Sequence, residues 1–229
     1  MKDRVKVNIG SGPHGKADWI NLDWGALPLL SKMPFISFLL VKLRLLPKDY
    51  LLSWPSNPKL CDARKKLPFK DGSVDFIYTS HFLEHVQHYE AEDILKECKR
   101  ILAPSGVLRV SVPDLKTVSE RYLAKDMNFF KRMMGYEPSQ ANLGNIADLY
   151  VRQFLGYDSW SRPGFLKRMQ RRFIRGHLWM YDFDSLSDIL SKAGFNKIER
   201  CQPGQGKVPD LDFLEVYYRD HSLYVEASL

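Results

Sequence analysis

The chain has 229 residues, enough for one sizeable core and short for two. Apolar residues make up 45% and charged residues 27%, which excludes a disordered chain, a collagen-like repeat and a disulfide scaffold. Lys and Arg number 34 against 27 Asp and Glu, a net charge of +7 that suits anionic partners and also an ordinary solvated surface.

Residues Met1 to Arg4 lead straight into a strand-like segment without the apolar region of a signal peptide. Cys61, Cys98 and Cys201 form no CxxC pair, which speaks against a zinc site or a disulfide framework. Both observations fit a reducing cytoplasm. Val5 to Ile9 alternates and is β-branched, and Gly10-Ser11-Gly12-Pro13 stops it, so it reads as a strand closed by a glycine turn. Trp19 to Asp23 and Lys59 to Cys61 are shorter strands, each ending on or running into a carboxylate, Asp23 and Asp62. Val74 to Thr79 precedes Ser80-His81, and Val107 to Val112 precedes Pro113-Asp114. Between them Ile94, Leu95, Cys98, Ile101 and Leu102 fall on one helical face, and Pro104-Ser105-Gly106 ends that helix. A later helix starts at Asp184 or Ser185 and stops at Gly194, with Ser185 and Asp188 at capping-box spacing. Lys197 to Cys201 and Ser222 to Val225 complete seven strand candidates. Strands alternating with helices predict an α/β, Rossmann-like, mostly parallel sheet covered on both faces. Residues 1–229 then read as one domain, with helical insertions at about 24–58 and 116–176.

Within the first insertion, Phe35 to Leu46 is too short to span a bilayer, for which about 18 residues are needed. A buried cap helix is the first reading and membrane-surface contact the second. Within the second, Phe165 to Arg175 separates Phe165, Leu166, Met169 and Phe173 from Lys167, Arg168, Arg171, Arg172 and Arg175. Such a helix packs on a core with a solvated basic back, or clamps an anionic substrate or membrane surface. Nucleic acid fits less well, because the aromatics lie on the apolar face rather than among the arginines.

Gly10-Ser11-Gly12-Pro13-His14-Gly15 matches G-x-G-x-x-G literally, but only residues 10–18 separate the first two strands. A dinucleotide fingerprint needs a helix at the third glycine and an acid about 20 residues on. A nicotinamide-dependent oxidoreductase therefore lacks its long first crossover. A ligand with a small charged head and a nucleoside fits better. The glycines let backbone approach the head group, Asp23 can accept from a ribose diol, and Asp62 can accept from an adenine amine.

The run Val7-Asn8-Ile9-Gly10-Ser11-Gly12, then Ile20-Asn21-Leu22-Asp23, then Asp62 through His85, Leu95 to Gly106 and Ser111 to Leu115 resembles the class I S-adenosylmethionine-dependent methyltransferases, particularly their type 11 domains. The resemblance implies a seven-stranded sheet with an antiparallel C-terminal strand and S-adenosylmethionine as cofactor. It implies that Gly10, Ser11 and Gly12 hold the methionine moiety with Asn8 behind them. Asp23 would bind the ribose, Asp62 and Ala63 the adenine, and Ser80 and His81 would line the donor pocket.

Methyl transfer from a sulfonium needs alignment and exclusion of water, and a hydroxyl acceptor gains from a general base. His81 is the first candidate for that base; His85 and His177 are others, and Asp114 either bounds the acceptor site or caps a helix. No metal is expected. The expected acceptor is a small molecule or saccharide, partly anionic, with O-methylation favoured. A methyltransferase-like binding protein without catalysis is the alternative from another class.

Overall fold

The computed structural model describes residues 4–43, 57–133, 145–155, 176–216 and 219–229, together with Leu51 and Trp54. The expected basic helix 165–175 and Trp160 lie outside the described residues. Seven strands form one sheet: β1 (Lys6–Ile9), β2 (Ile20–Asp23), β3 (Lys59–Leu60), β4 (Val74–Ser80), β5 (Leu102–Pro113), β6 (Lys197–Cys201) and β7 (Ser222–Ser228). Their spatial order is β3-β2-β1-β4-β5-β7-β6. The β1–β5 pairs are parallel, and β7 runs antiparallel to both β5 and β6. The mostly parallel Rossmann-like sheet with an antiparallel final strand is as the resemblance implied.

One face of the sheet holds the main core. Val7, Ile9, Ile77, Leu108, Val110, Leu223 and Val225 point into it. Two helices cover that face, α3 (His88–Ile101) and α7 (Phe183–Ala193), which bury Leu95, Cys98, Ile101, Leu186, Ile189 and Leu190. α3 opens with a capping box between Gln87 and Glu90. The box of α7 is formed by Asp182 and Ser185, three residues upstream of the expected Ser185 and Asp188 pair. The reason is local: the Asp182 carboxylate accepts from the Ser185 N–H at 2.9 Å, so the helix begins at Phe183, one or two residues earlier than expected. α3 also does not end at Pro104-Ser105-Gly106. It passes at Leu102 directly into β5, whose first residues pair with Val74 across an irregular register.

The opposite face is covered in an unusual way. Ten residues join β1 to β2, holding a single 3-10 turn at Gly12–His14 where a crossover helix would lie. Trp19, Phe76, Tyr78 and Val107 are instead sealed by Val208 and Leu211 from the C-terminal segment that contains α8 (Leu211–Leu214). Charged pins hold that segment. Arg109, fully buried on β5, donates to both oxygens of buried Glu215 at 2.7 and 3.0 Å and to the carbonyls of Gln202 and Gln205. Glu226 on β7 accepts from the N–H groups of Lys207 and Val208. Asp210 accepts from the Trp19 indole and from Lys16, each at 2.9 Å.

The first insertion folds as α1 (Ala26–Ser31) and α2 (Pro34–Lys42). The expected buried cap helix is corrected here. Phe35 is 77% exposed and Ile36, Phe38, Leu39 and Leu43 are exposed too, while Ser37 is buried and donates to the Leu30 carbonyl at 2.7 Å. The small Ser37 makes the close contact with α1, which leaves the larger apolar side chains of α2 on the outside. Residues 44–46 of that expected element lie outside the described residues. The second insertion contributes α4 (Leu115–Leu123), α5 (Met127–Met133) and α6 (Ile146–Leu155), which pack Val118, Phe129, Phe130 and Leu149 into a core of their own. Among the described residues, no helix is long and apolar enough to cross a membrane.

Candidate functional site

The parallel strands β1, β2 and β3 deliver three motifs to one end of the sheet. After β1, Gly10 and Gly12 both adopt positive φ, +68° and +54°, which side chains with a Cβ rarely tolerate. Their surroundings differ. A Cβ on Gly10 would lie 2.7 Å from the Phe82 ring, so the close approach at Gly10 is to Phe82. A Cβ on Gly12 would meet nothing within 4 Å. The Gly10 and Ser11 N–H groups donate to the Leu22 carbonyl, which binds the turn to β2. Asn8 is buried behind it, and its amide reaches Asn21 at 3.4 Å.

Asp23 ends β2 beside that turn. Its carboxylate accepts from the Gly12 N–H at 2.7 Å and from the Trp24 N–H at 2.6 Å. Burial pushes the Asp23 carboxyl above the usual carboxylate range, against the pull of those two N–H groups. The Asp23 carbonyl in turn accepts from the Cys61 N–H at 2.9 Å, so Asp62 follows one residue beyond the contact. Asp62 is held by Arg64. One oxygen accepts from the Arg64 N–H and Nε at 3.1 and 2.8 Å, the other from a terminal guanidinium nitrogen at 2.9 Å. That partner holds the Asp62 carboxyl below its ordinary value. A carboxylate has about four acceptor positions; Arg64 takes three and leaves one. Ala63 beside it is buried.

After β4, Ser80 pairs with Ser111 in register, and His81 turns into the left-handed region at φ +49°. A non-glycine residue there marks a strained, over-determined position. The cause is visible: the His81 N–H donates to the Ser111 carbonyl, Nδ1 lies 3.2 Å from Glu84 Oε1, and Nε2 lies 2.8 Å from Ser222 Oγ. Glu84 is fully buried. Burial alone pushes its carboxyl up, but His81, His85 and His177 together bring it below the usual range. Burial lowers His177, so its imidazole favours the neutral form. His85 sits in the 3-10 turn Leu83–His85 and faces His177, with ring centroids 5.0 Å apart. It therefore does not share a helical face with His81. Asp114 is a cap: it accepts from the Lys116 N–H and the Thr117 hydroxyl at the start of α4, and pairs with Arg200.

Residues 50–110 match the family model of a methyltransferase domain. The chain carries the class I methyltransferase fold. That segment spans Asp62, Ala63, Ser80, His81 and His85, and S-adenosylmethionine is the cofactor that a methyltransferase domain of this kind indicates. Among solved structures, the chain is similar to a SAM-dependent methyltransferase from Thermotoga maritima, 18% identical over 99% of this chain and 83% of that one, with a TM-score of 0.47. It is similar also to one from Archaeoglobus fulgidus, 12% identical over 100% and 87%, with a TM-score of 0.49. No curated protein matches it.

On this methyltransferase scaffold the glycine turn, Asp23 and Asp62 come together at one sheet end, as the sequence order suggested. Asn8 lies behind the turn as a buried support. Reasoning on the sequence alone missed Arg64 as the partner of Asp62, Phe82 as the neighbour of Gly10, and Ser222 as the neighbour of His81. It also passed over Glu84, whose burial among three histidines no local pattern revealed. Trp24, 57% exposed beside Asp23, carried a signal that could have been read: a large exposed ring directly after a strand-ending acid.

Proposed function

We propose that the protein is an S-adenosylmethionine-dependent methyltransferase acting on a small-molecule or glycan acceptor, with oxygen the favoured acceptor atom. The observation that carries this reading is the pairing of Asp23 with Gly12. A half-buried carboxylate grips the N–H of a glycine that has open space above it, at the end of a parallel sheet where ligands of α/β folds bind. That acceptor set suits a ribose diol. The remaining acceptor position on Asp62 suits an exocyclic amine, and the exposed Trp24 ring offers a base a surface to stack on. When bound, the cofactor supplies an electrophilic methyl group on a positively charged sulfur.

The chain's own contribution is alignment and proton handling. In this reading the Glu84 carboxylate fixes the hydrogen of His81 on Nδ1, which leaves Nε2 as the acceptor. A hydroxyl already approaches Nε2, that of Ser222. A substrate hydroxyl taking that place would lose its proton to His81 as the new carbon–oxygen bond forms. The solvated basic face expected at 165–175 remains the candidate for an anionic part of the acceptor.

Calorimetric titration of the full chain with S-adenosylmethionine and, separately, with NAD tests the reading. Binding of the first and not the second is expected. Binding of NAD alone, or of neither, refutes it. Retained S-adenosylmethionine binding without turnover on a broad hydroxyl acceptor panel would favour the binding-protein alternative. Substituting His81→Ala should cut turnover by about 100-fold, the usual contribution of a general base, while leaving donor affinity nearly unchanged.

A further inference from the structure

Beside the turn that follows β4, three side chains from distant parts of the sequence converge. Glu84 and His85 come from the turn itself, and His177 from the segment that enters α7. Each offers one ligand atom, and the three atoms lie within 4.8 Å of one another. The Glu84 carboxylate is fully buried. Among the described residues its Oε2 has no hydrogen-bond partner, and Oε1 lies 3.2 Å from His81 Nδ1. A buried carboxylate with an unused oxygen is costly unless a cation or donor faces it. Both imidazoles are oriented from behind. His85 Nδ1 faces the Gly176 carbonyl at 3.3 Å, and His177 Nδ1 faces the Gln153 carbonyl at 2.6 Å. A carbonyl only accepts, so each ring carries its hydrogen on Nδ1 and presents Nε2 as the lone pair. Backbone carbonyls on the far nitrogen are the usual outer support of metal-binding histidines.

We propose that Glu84, His85 and His177 bind a divalent first-row transition-metal ion. Two imidazoles and one carboxylate are a donor set that zinc, ferrous iron and manganese all accept. With metal–ligand bonds of about 2.0–2.2 Å, tetrahedral donors lie about 3.4 Å apart, so the three atoms need to draw together by at most about 1.4 Å. The ion would pin the segment 176–179 to the β4 turn, adding to the 2.6 Å bond from the Leu178 N–H to the Glu84 carbonyl. No sequence spacing announces this site, because 92 residues separate His85 from His177. Glu84 also orients His81 in the methyltransferase reading, but none of the three ligands is a residue that would hold the donor, so loss of metal binding and loss of donor binding are distinguishable.

Cobalt(II) is the probe, because its visible absorption reports the coordination that spectroscopically silent zinc would adopt. The tag-free full chain, stripped with EDTA and titrated with Co2+, should gain absorption that saturates at one equivalent and disappears on adding Zn2+. His85→Ala and His177→Ala should each weaken Co2+ binding by at least about tenfold. Circular dichroism in EDTA establishes that the variants are folded. If one is not, Glu84→Gln takes its place in the comparison. Absence of the absorption change, or equal uptake by wild type and the folded variants, overturns the proposal. Donor calorimetry repeated in EDTA reads the methyltransferase function separately.

Discussion

The pair formed by Arg109 and Glu215 gives the sharpest prediction about stability. Both side chains are fully buried, and they meet through two hydrogen bonds of 2.7 and 3.0 Å in the bidentate geometry that a guanidinium and a carboxylate favour. Arg109 also donates to Gln202 and Gln205, and Glu215 accepts from the Gly204 N–H at 2.6 Å. Glu226 is the other acid near Arg109, at 3.8 Å. Removing either partner strands a charge in the interior, which costs about 3–5 kcal/mol, whereas replacing both with apolar groups of similar volume is often neutral. Arg109→Met and Glu215→Leu should therefore each destabilise by about 3–5 kcal/mol. The double variant should lose less than either single one. With a urea slope of about 2 kcal/mol per molar, each single variant moves the unfolding midpoint down by roughly 1.5–2.5 M. The assay is urea unfolding followed by tryptophan fluorescence, with all four proteins in one cycle. Single losses under about 1 kcal/mol, or losses that simply add in the double variant, would refute the reasoning that this pair clamps 202–216 to β5.

Asp23→Ala removes the acceptor of the Gly12 N–H and the expected ribose contact, and should weaken S-adenosylmethionine binding by about 100-fold or more, since hydrogen bonds to charged groups are worth about 1.5–3 kcal/mol each; calorimetry reads it. Gly10→Ala should destabilise the fold through its clash with the Phe82 ring, and Phe82→Ala in the same chain should recover part of the loss in thermal melts. Burial, reinforced by repulsion from His81 and opposed by Asp220, pushes His221 down to about 4 from an ordinary 6.5. The folded pKa lies below the unfolded one, so the unfolded chain takes the proton first. Stability should fall as pH drops from 6.5 towards 4, by up to about 3 kcal/mol for this group, and His221→Gln should flatten that dependence in urea midpoints. Burial lifts the Cys98 thiol up to about 12, so a thiol-alkylating reagent should label Cys61 and Cys201 in the native protein and Cys98 only after unfolding.

The strands that carry the site were legible because each is a short segment cut off by a glycine or an acid. The acids at 23 and 62 follow strand ends, where the backbone turns and leaves N–H groups for a carboxylate to accept from. Boundaries were less legible where two signals competed. Pro104 and Gly106 look like punctuation, yet the Val74 pairing carries β5 back through them. Ser185 looks like a helix start, yet Asp182 caps first. His85 and His177 were candidates one by one, but their meeting with Glu84 could not be read, because the two histidines are far apart in the sequence and Glu84 carries no local signal. The partner of Asp62 was hidden differently: Arg64 stands two residues away in plain view, but nothing local says which way its side chain folds.

The short link between β1 and β2 has a consequence for how the protein is made. Its rear sheet face, with Trp19, Phe76 and Tyr78, is roofed by residues 208–214, and β7, made after β6, slots between β5 and β6. A ribosome that has produced the first two hundred residues has thus delivered a β-sheet with one greasy side open to water and a gap in its ladder. The sheet cannot close at that point, and chaperones that shield apolar surface should engage the nascent chain until residues 202–228 have emerged.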